Sequence, residues 1–112
     1  MKIGPDQGDV VWLDFDPRAG HEQAGRRPAV VLTPRSYNAR SGLALVCPIT
    51  SKAKGYPFEV PVSAGQITGV VLSDHVSSLD WSVRNAAYVS RVPEATLAEI
   101  MAKIAALLQI DD

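Results

Sequence analysis

The amino-acid sequence predicts a mainly β protein with a C-terminal helix, in which short and chiefly antiparallel strands form a small barrel-like sheet. Short runs of β-branched, aromatic and other apolar residues recur between Gly, Pro and Ser residues that favour turns. No long helical pattern separates these runs, so a βαβ architecture is not expected. Near the C-terminus the hydrophobic pattern changes to the period of a helix. Together these observations favour a barrel-like sheet followed by one helix.

Five or six strands are expected from these runs. Pro28 begins one of them, where its missing N–H is tolerated, and Pro61 places another at a sheet edge or a strand end. Residues 16–27 are predicted to be a long loop and 63–69 a turn region, because both contain Gly. Residues 34–42 are predicted to be a connection with room for a helical turn. The predicted strands are 9–15, 28–33, 43–49, 58–62, an extended segment at 69–79, and 87–92.

The C-terminal helix is predicted from apolar residues that recur at helical spacing. Pro93 and Glu94 mark its start, and Glu99 precedes Lys103 by one helical turn, which adds slight support. We assign the apolar stripe to core packing. Its members are Leu97, Ile100, Met101, Ile104, Leu107 and Leu108.

Length and composition limit the class of protein. The chain has 112 residues, so one domain is expected over residues 1–112. It is 46% hydrophobic and 21% charged, which is typical of globular proteins. We expect neither a membrane span nor a secretory signal, because no apolar run is long enough for either. Cys47 has no second cysteine to pair with, and a cytoplasmic location is therefore expected.

The charges are distributed unevenly along the chain. The formal net charge is −1, yet residues 18–54 hold seven of the eleven Lys and Arg residues and one of the twelve Asp and Glu residues. Such a basic segment attracts phosphate groups, while the acidic remainder keeps the protein soluble. The alternative is that clustering along the sequence does not persist in the folded protein.

Several common sites are not expected. His21, His75 and Cys47 lack the spacing of zinc ligands, and neither a P-loop nor a dinucleotide-binding motif is present. Cys47 lies in an apolar strand, where a thiol is usually inert packing. We therefore expect neither a metal ion nor a cofactor.

Ionisable and hydroxyl groups gather instead at the ends of two predicted strands. Glu22, Arg26 and Arg27 precede the second strand, and Thr50 and Ser51 follow the third. If these strands are antiparallel neighbours, Arg27 and Thr50 meet at one edge of the sheet. A simpler explanation for part of the cluster is a surface ion pair between Glu22 and Arg26, which are four residues apart.

This set of groups fits RNA cleavage without a metal. The substrate's 2′-hydroxyl attacks the adjacent phosphorus, so the protein must remove that proton, stabilise charge on the phosphoryl oxygens and protonate the leaving 5′-oxygen. The planar guanidinium of Arg27 suits the phosphoryl oxygens, and the Thr50 hydroxyl can donate to them. Glu22 or His21 could transfer protons. DNA lacks the 2′-hydroxyl and would be bound without being cut.

The sequence also resembles the MazF/PemK-type toxins of bacterial toxin–antitoxin systems. The resemblance runs in order along almost the whole chain, including the terminal helix. The segments that carry it are GDVVWLDFDP (8–17), EQAGRRPAVVLTP (22–34), Tyr37-Asn38, CPIT (47–50), KGYPFEV (54–60) and GVVLSDHVSSLDW (69–81).

The resemblance implies an SH3-like barrel, a homodimer and a metal-independent endoribonuclease that cuts single-stranded mRNA at short sequences and so inhibits growth. It implies products with a 2′,3′-cyclic phosphate or a 3′-phosphate, and with a 5′-hydroxyl. It also implies a cognate antitoxin whose acidic, disordered tail covers the RNA groove. The family's catalytic arginine, threonine and loop glutamate fall on Arg27, Thr50 and Glu22.

Further residues are candidates for substrate binding. Arg26 stands where some members of the family have histidine, and it suits phosphate binding. The candidates for contacts to the substrate are Arg26, Ser51, Lys54, Asn38 and Asp74. His21 is either a substitute proton carrier or a solvated loop residue, and His75 is a candidate contact to the substrate or to the dimer partner.

Two other functions are compatible with the same fold. The first is a non-enzymatic toxin like the gyrase inhibitors, which act by binding. The second is an inactive SH3-like module that binds RNA or peptide. Cleavage of RNA that depends on Arg27 and Thr50 distinguishes an enzyme from both.

Overall fold

The computed structural model describes residues 3–15 and 25–110, and within them the chain forms seven strands and two helices. The mainly β fold class with a C-terminal helix is confirmed. The elements in chain order are β1 (Asp9–Asp14), β2 (Arg26–Val31), α1 (Arg35–Ser41), β3 (Leu43–Thr50), β4 (Glu59–Ala64), β5 (Ile67–Leu72), β6 (Ser77–Asp80), β7 (Ala87–Arg91) and α2 (Glu94–Leu108).

All of the strand pairs are antiparallel, and the sheet curls around β3. The strand order is β4-β5-β3-β2-β1-β7, with β6 also paired to β3. The first half of β3 pairs with β6 from Leu43 to Val46, and its end pairs with β5 at Ile49 and Thr50. On its other side β3 pairs with β2. Because β3 pairs with three other strands, the sheet bends into a half-barrel and does not lie flat.

Two predicted segments differ from the observed strands. The extended segment 69–79 is two strands, because the chain turns at residues 73–76 between β5 and β6. The turn region 63–69 shrinks to Gly65 and Gln66, since Ala64 already pairs with Ile67. Gly65 has φ +60, which a tight two-residue hairpin turn requires. The helical turn expected between β2 and β3 is α1, and β4 lies at one end of the strand order, as Pro61 predicted.

The buried apolar residues form two clusters on opposite faces of β1–β2–β3. One lies inside the curl and includes Val10, Val30, Cys47 and Ile49. The other includes Val11, Leu13, Ala29 and Val46 on the outer face. Both faces of the central strands are therefore buried, which explains why β2 and β3 are apolar without alternation.

Helix α2 begins after Pro93 and packs its apolar stripe on the inner cluster through Leu97, Ile100, Met101 and Ile104. The assignment of the whole stripe to the core is wrong for its last turn. Leu107 and Leu108 are about 60% exposed. No helix in the described part of the chain is long and apolar enough to cross a membrane.

Candidate active site

The predicted meeting of Arg27 and Thr50 depends on how β2 pairs with β3. The two strands are antiparallel, with Ala29 opposite Pro48 and Val31 opposite Val46. The same register, extended by two residues, brings Arg27 level with Thr50. Since side chains alternate between the faces of a strand, residues at the same level lie on the same face. The expected antiparallel pairing of these two strands is confirmed, and the meeting of the Arg27 and Thr50 side chains stays a prediction.

An open groove lies at this end of the strands. Its volume is about 410 Å³, and both apolar and polar side chains line it. Of the predicted site residues it includes Arg26, Arg27 and Ser51, whereas Thr50, the last residue of β3, is not among its lining residues. The lining residues are Trp12, Arg26, Arg27, Pro28, Ile49, Ser51, Gln66, Ile67 and Thr68.

Thr50 is the last residue of β3 and is nearly buried, with 8% of its surface exposed. Its Oγ1 accepts a hydrogen bond from the backbone N–H of Lys52 at 3.2 Å. This bond uses the oxygen as an acceptor, so the hydroxyl can still donate its hydrogen. The side chain is therefore oriented by the backbone while it keeps the capacity to bind an anionic oxygen.

Arg26 is held by the ends of two other segments. Its guanidinium donates to Asp14 Oδ1 at 3.0 Å and to the carbonyl oxygen of Asn85 at 2.9 Å. Asp14 also accepts from Asn85 Nδ2 at 2.7 Å. These hydrogen bonds lower the pKa of Asp14 below its usual value. The bond from Asn85 has the larger effect and the bond from Arg26 the next largest. Glu22, considered above as a partner of Arg26, lies outside the described residues, as does His21.

The family model for the PemK-like, MazF-like toxin of type II toxin–antitoxin systems matches residues 6–108 of the chain. The chain belongs to this family. The resemblance found in the sequence is thereby confirmed over nearly the whole length.

Individual relatives agree with the family match. The endoribonuclease toxin MazF of Escherichia coli K12 is 49% identical over 93% of this chain and 94% of its own. The crystal structure of MazF from Deinococcus radiodurans matches with a TM-score of 0.92 and 53% identity, over 96% of this chain and 98% of that one. A crystal structure of MazE–MazF from the same organism matches with a TM-score of 0.85 and 47% identity, over the same shares of the two chains. This PemK/MazF-type toxin is an endoribonuclease of a toxin–antitoxin system.

The structure of the PemK/MazF-type toxin assigns Asn38 to the fold rather than to the groove. Asn38 is fully buried in α1. Its amide accepts from Thr33 Oγ1 at 2.6 Å and donates to the carbonyl oxygens of Pro5 at 2.9 Å and Thr33 at 2.8 Å. The backbone carbonyl oxygen of Asn38 accepts a hydrogen bond from Trp81 Nε1 at 2.9 Å. A side chain with these partners does not face a substrate.

Two other candidates lie away from the groove lining. Lys54 is exposed in the loop between β3 and β4. The buried Glu59 carboxylate fixes the backbone of this loop, because it accepts hydrogen bonds from the backbone N–H groups of Lys54 and Gly55 at 3.0–3.2 Å. Asp74 lies partly buried in the turn after β5, with His75 Nε2 3.8 Å from its Oδ1. That oxygen has no hydrogen-bond partner among the described residues.

Cys47 has the inert character expected of it. The thiol is buried on β3, and this burial, helped by the nearby charge of Asp74, raises its pKa to about 12. It is therefore protonated at neutral pH and is a poor nucleophile.

Sequence reasoning missed six of the nine residues that line the groove, among them Trp12, Gln66 and Thr68. Trp12 lies on β1 between the buried Val11 and Leu13 and is only partly buried, so it belongs to the other face of that strand. Gln66 and Thr68 flank the buried Ile67 and are exposed. Their alternation is a strand signal, but the neighbouring Gly65 and Gly69 led to the prediction of a turn.

Proposed function

We propose that this endoribonuclease toxin cleaves single-stranded mRNA at short sequences, and that it does so without a metal ion. One observation supports the proposal above the others. The antiparallel register of β2 and β3 pairs Ala29 with Pro48. Continued by two residues, it supports a meeting of Arg27, which lines the groove, with Thr50. A guanidinium and a hydroxyl are thus available to bind one phosphodiester.

In the proposed reaction the substrate supplies the nucleophile. Its 2′-oxygen attacks the neighbouring phosphorus as the 2′-hydroxyl proton passes to a base on the protein. The bond from phosphorus to the 5′-oxygen then breaks, and that oxygen receives a proton. The products are a 2′,3′-cyclic phosphate and a 5′-hydroxyl, so no water enters this step and no oxidant is needed.

Arg27 stabilises the negative charge that accumulates on the phosphoryl oxygens, because its planar fork of N–H groups matches their geometry. Thr50 donates a hydrogen bond to one of the same oxygens. Glu22 is the proposed base or acid, since a carboxylate can carry the proton that Arg27 cannot release near neutral pH. These catalytic roles, and the binding roles of Arg26, Ser51 and Lys54, are part of the proposal.

The proposal includes a protein partner. The MazF of Deinococcus radiodurans has been crystallised with MazE, and we extend that association to a cognate antitoxin of this chain with an acidic, disordered tail. Arg26 lines the groove, and Lys52 and Lys54 follow its lining residue Ser51 along the chain. All three are exposed and would attract such a tail as they attract RNA. A homodimer and a cytoplasmic location, where mRNA is found, belong to the same proposal.

The experiment that tests the proposal incubates the purified toxin with a long single-stranded RNA in EDTA, beside DNA of the same sequence. We expect discrete cuts in the RNA alone, with 5′-hydroxyl ends and cyclic phosphates. A second RNA carries one 2′-deoxynucleotide at a mapped site, and cleavage there should be lost while other sites are cut. Cleavage at the deoxy site, or activity that EDTA abolishes, would contradict the mechanism. Intact RNA would favour a binding-only or gyrase-inhibitor-type toxin.

A further inference from the structure

Gly69 occupies an unusually crowded place in β5, directly against the end of β3. A Cβ atom added at this glycine would lie 2.3 Å from the carbonyl oxygen of Thr50, 3.0 Å from its carbonyl carbon and 3.3 Å from Ser51 Cα. All three are backbone atoms, so no side chain can rotate to make room. Any residue with a side chain at position 69 must therefore displace the backbone of Thr50 and Ser51.

The need for glycine here is a need for space and not for a special backbone angle. Gly25, Gly42 and Gly55 have positive φ values and nothing within 4 Å of an added Cβ. Gly69 is not among the glycines with positive φ, and it lies in a regular antiparallel pair opposite Val62. A glycine inside a strand weakens that strand, and it commonly marks a close approach of another backbone segment.

The chain that approaches Gly69 is the segment that carries the proposed catalytic hydroxyl. β3 pairs with β5 through Thr50 and Val70, and it ends there. Immediately afterwards, the Lys52 N–H donates to Thr50 Oγ1. Thr50 is thus fixed at two points, since its carbonyl packs on Gly69 and its hydroxyl is held by the amide of Lys52.

We infer that Gly69 and the backbone amide of Lys52 are positioning elements that set the Thr50 hydroxyl for RNA cleavage. Neither needs to touch the substrate, because both act through Thr50. The inference rests on the proposed role of Thr50 in the active site. It predicts that residue 69 affects the chemical step more than it affects RNA binding.

The first variant is Gly69→Ala. We expect kcat for RNA cleavage to fall by roughly 10- to 100-fold, because a misplacement of about 1 Å in a catalytic group has effects of this size. KM should stay within about twofold, since the binding groups are retained. The control is Val60→Ala, which removes buried volume from β4 in the inner cluster. It should lower Tm without lowering kcat at a temperature where both variants are folded.

A double-variant cycle with Thr50→Ala separates positioning from general damage. If Gly69 acts through the hydroxyl, Gly69→Ala should cause little further loss of kcat once that hydroxyl is absent. Equal losses in both backgrounds, or wild-type kcat in Gly69→Ala, would overturn the inference and leave the role of Thr50 standing. Full activity of Thr50→Ala alone would overturn the role of Thr50 and the inference with it.

Lys52 provides a second test that does not depend on Gly69→Ala folding. Lys52→Pro removes the N–H that donates to Thr50 Oγ1, whereas Lys52→Ala keeps that N–H and removes only the charge. Both changes lie in an exposed loop. We expect kcat to fall several-fold in the proline variant relative to the alanine variant, with similar Tm values. Equal kcat values for the two would overturn the inference.

Discussion

Two polar clusters lie near the two ends of β3, and they differ in how their hydrogen bonds are satisfied. The cluster at the start of β3 is centred on Asn38, whose side chain is fully buried and bonded to Pro5 and Thr33. The groove at the other end presents Arg26, Ser51 and Thr68 to solvent. Buried polar groups that are fully bonded specify the fold, whereas exposed groups around a groove retain the capacity to bind. The first cluster should therefore control stability and the second activity.

The largest effect is expected at the groove. Arg27→Ala should reduce the rate of RNA cleavage by roughly 10²- to 10³-fold, because a positioned charge donor to the transition state is removed. Tm should stay close to that of the wild type. Single-turnover cleavage and thermal unfolding, measured side by side, check this. Arg40→Ala, on the exposed surface of α1, is the control and should cleave normally. An active Arg27→Ala enzyme would remove Arg27 from the mechanism.

The converse is expected at Asn38. Asn38→Ala should lower the free energy of unfolding by about 2–3 kcal/mol, because it leaves buried groups of Pro5 and Thr33 without partners. Denaturant titration measures this loss. The variant should cleave RNA at the wild-type rate under conditions where it is folded. Ser36→Ala, an exposed change on the same helix, should be neutral. An Asn38→Ala protein with unchanged stability and altered cleavage would contradict the assignment of stability to the Asn38 cluster and of activity to the groove.

A smaller effect is expected at Lys54. Lys54→Ala should weaken RNA binding by about 1 kcal/mol and reduce the slope of log K against log salt by about 0.7, the contribution of one phosphate contact on a single strand. Lys54→Arg should restore the slope, since it keeps the charge. Binding of RNA that carries 2′-deoxy groups, titrated at several salt concentrations, gives both values. An unchanged slope would mean that Lys54 does not contact phosphate.

The smallest effect concerns Asp14, which joins Arg26 to Asn85. Its pKa is lowered in the folded state from the usual 3.8. The carboxylate therefore contributes stability above pH 3.8, and this contribution disappears as the pH falls through the lower, folded-state pKa. Wild type should be slightly more stable than Asp14→Asn at neutral pH, and the difference should shrink in acid. Tm values of the two proteins against pH check the sign. A gap that widens in acid would contradict it.

The sequence predicted the pairing of β2 with β3, which follows from local rules, and missed features that depend on segments distant in the chain. Arg27 and Thr50 could be placed together because two consecutive antiparallel strands bring the start of one to the end of the other. Asn38 was expected to contact substrate. The sequence did not reveal its burial, because that burial depends on Pro5, more than thirty residues away. The turn at 73–76 contains neither Gly nor Pro, so nothing local separated β5 from β6.

The crowding at Gly69 is a related case. A glycine in the sequence indicates a turn, a bulge or a close approach, and only the folded structure distinguishes these. Here the approaching residue is Thr50 at the end of β3, the strand that pairs with β5 on the side opposite β4. The groove residue Thr68 was missed for the same reason, because the glycines on either side of it indicated a turn, whereas it lies in β5.

The position of Thr50 at the end of β3 also bears on how such an enzyme can be turned off. β3 pairs with β2, β5 and β6, so its amide hydrogens should exchange with solvent only when most of the sheet opens. The proposed catalytic hydroxyl of Thr50, at the end of this strand, is not released by fraying of a terminus or a loop. Partial unfolding is therefore a poor switch for this activity. We therefore expect the activity to be turned off by molecules that cover the folded surface, or by proteases that degrade the whole protein.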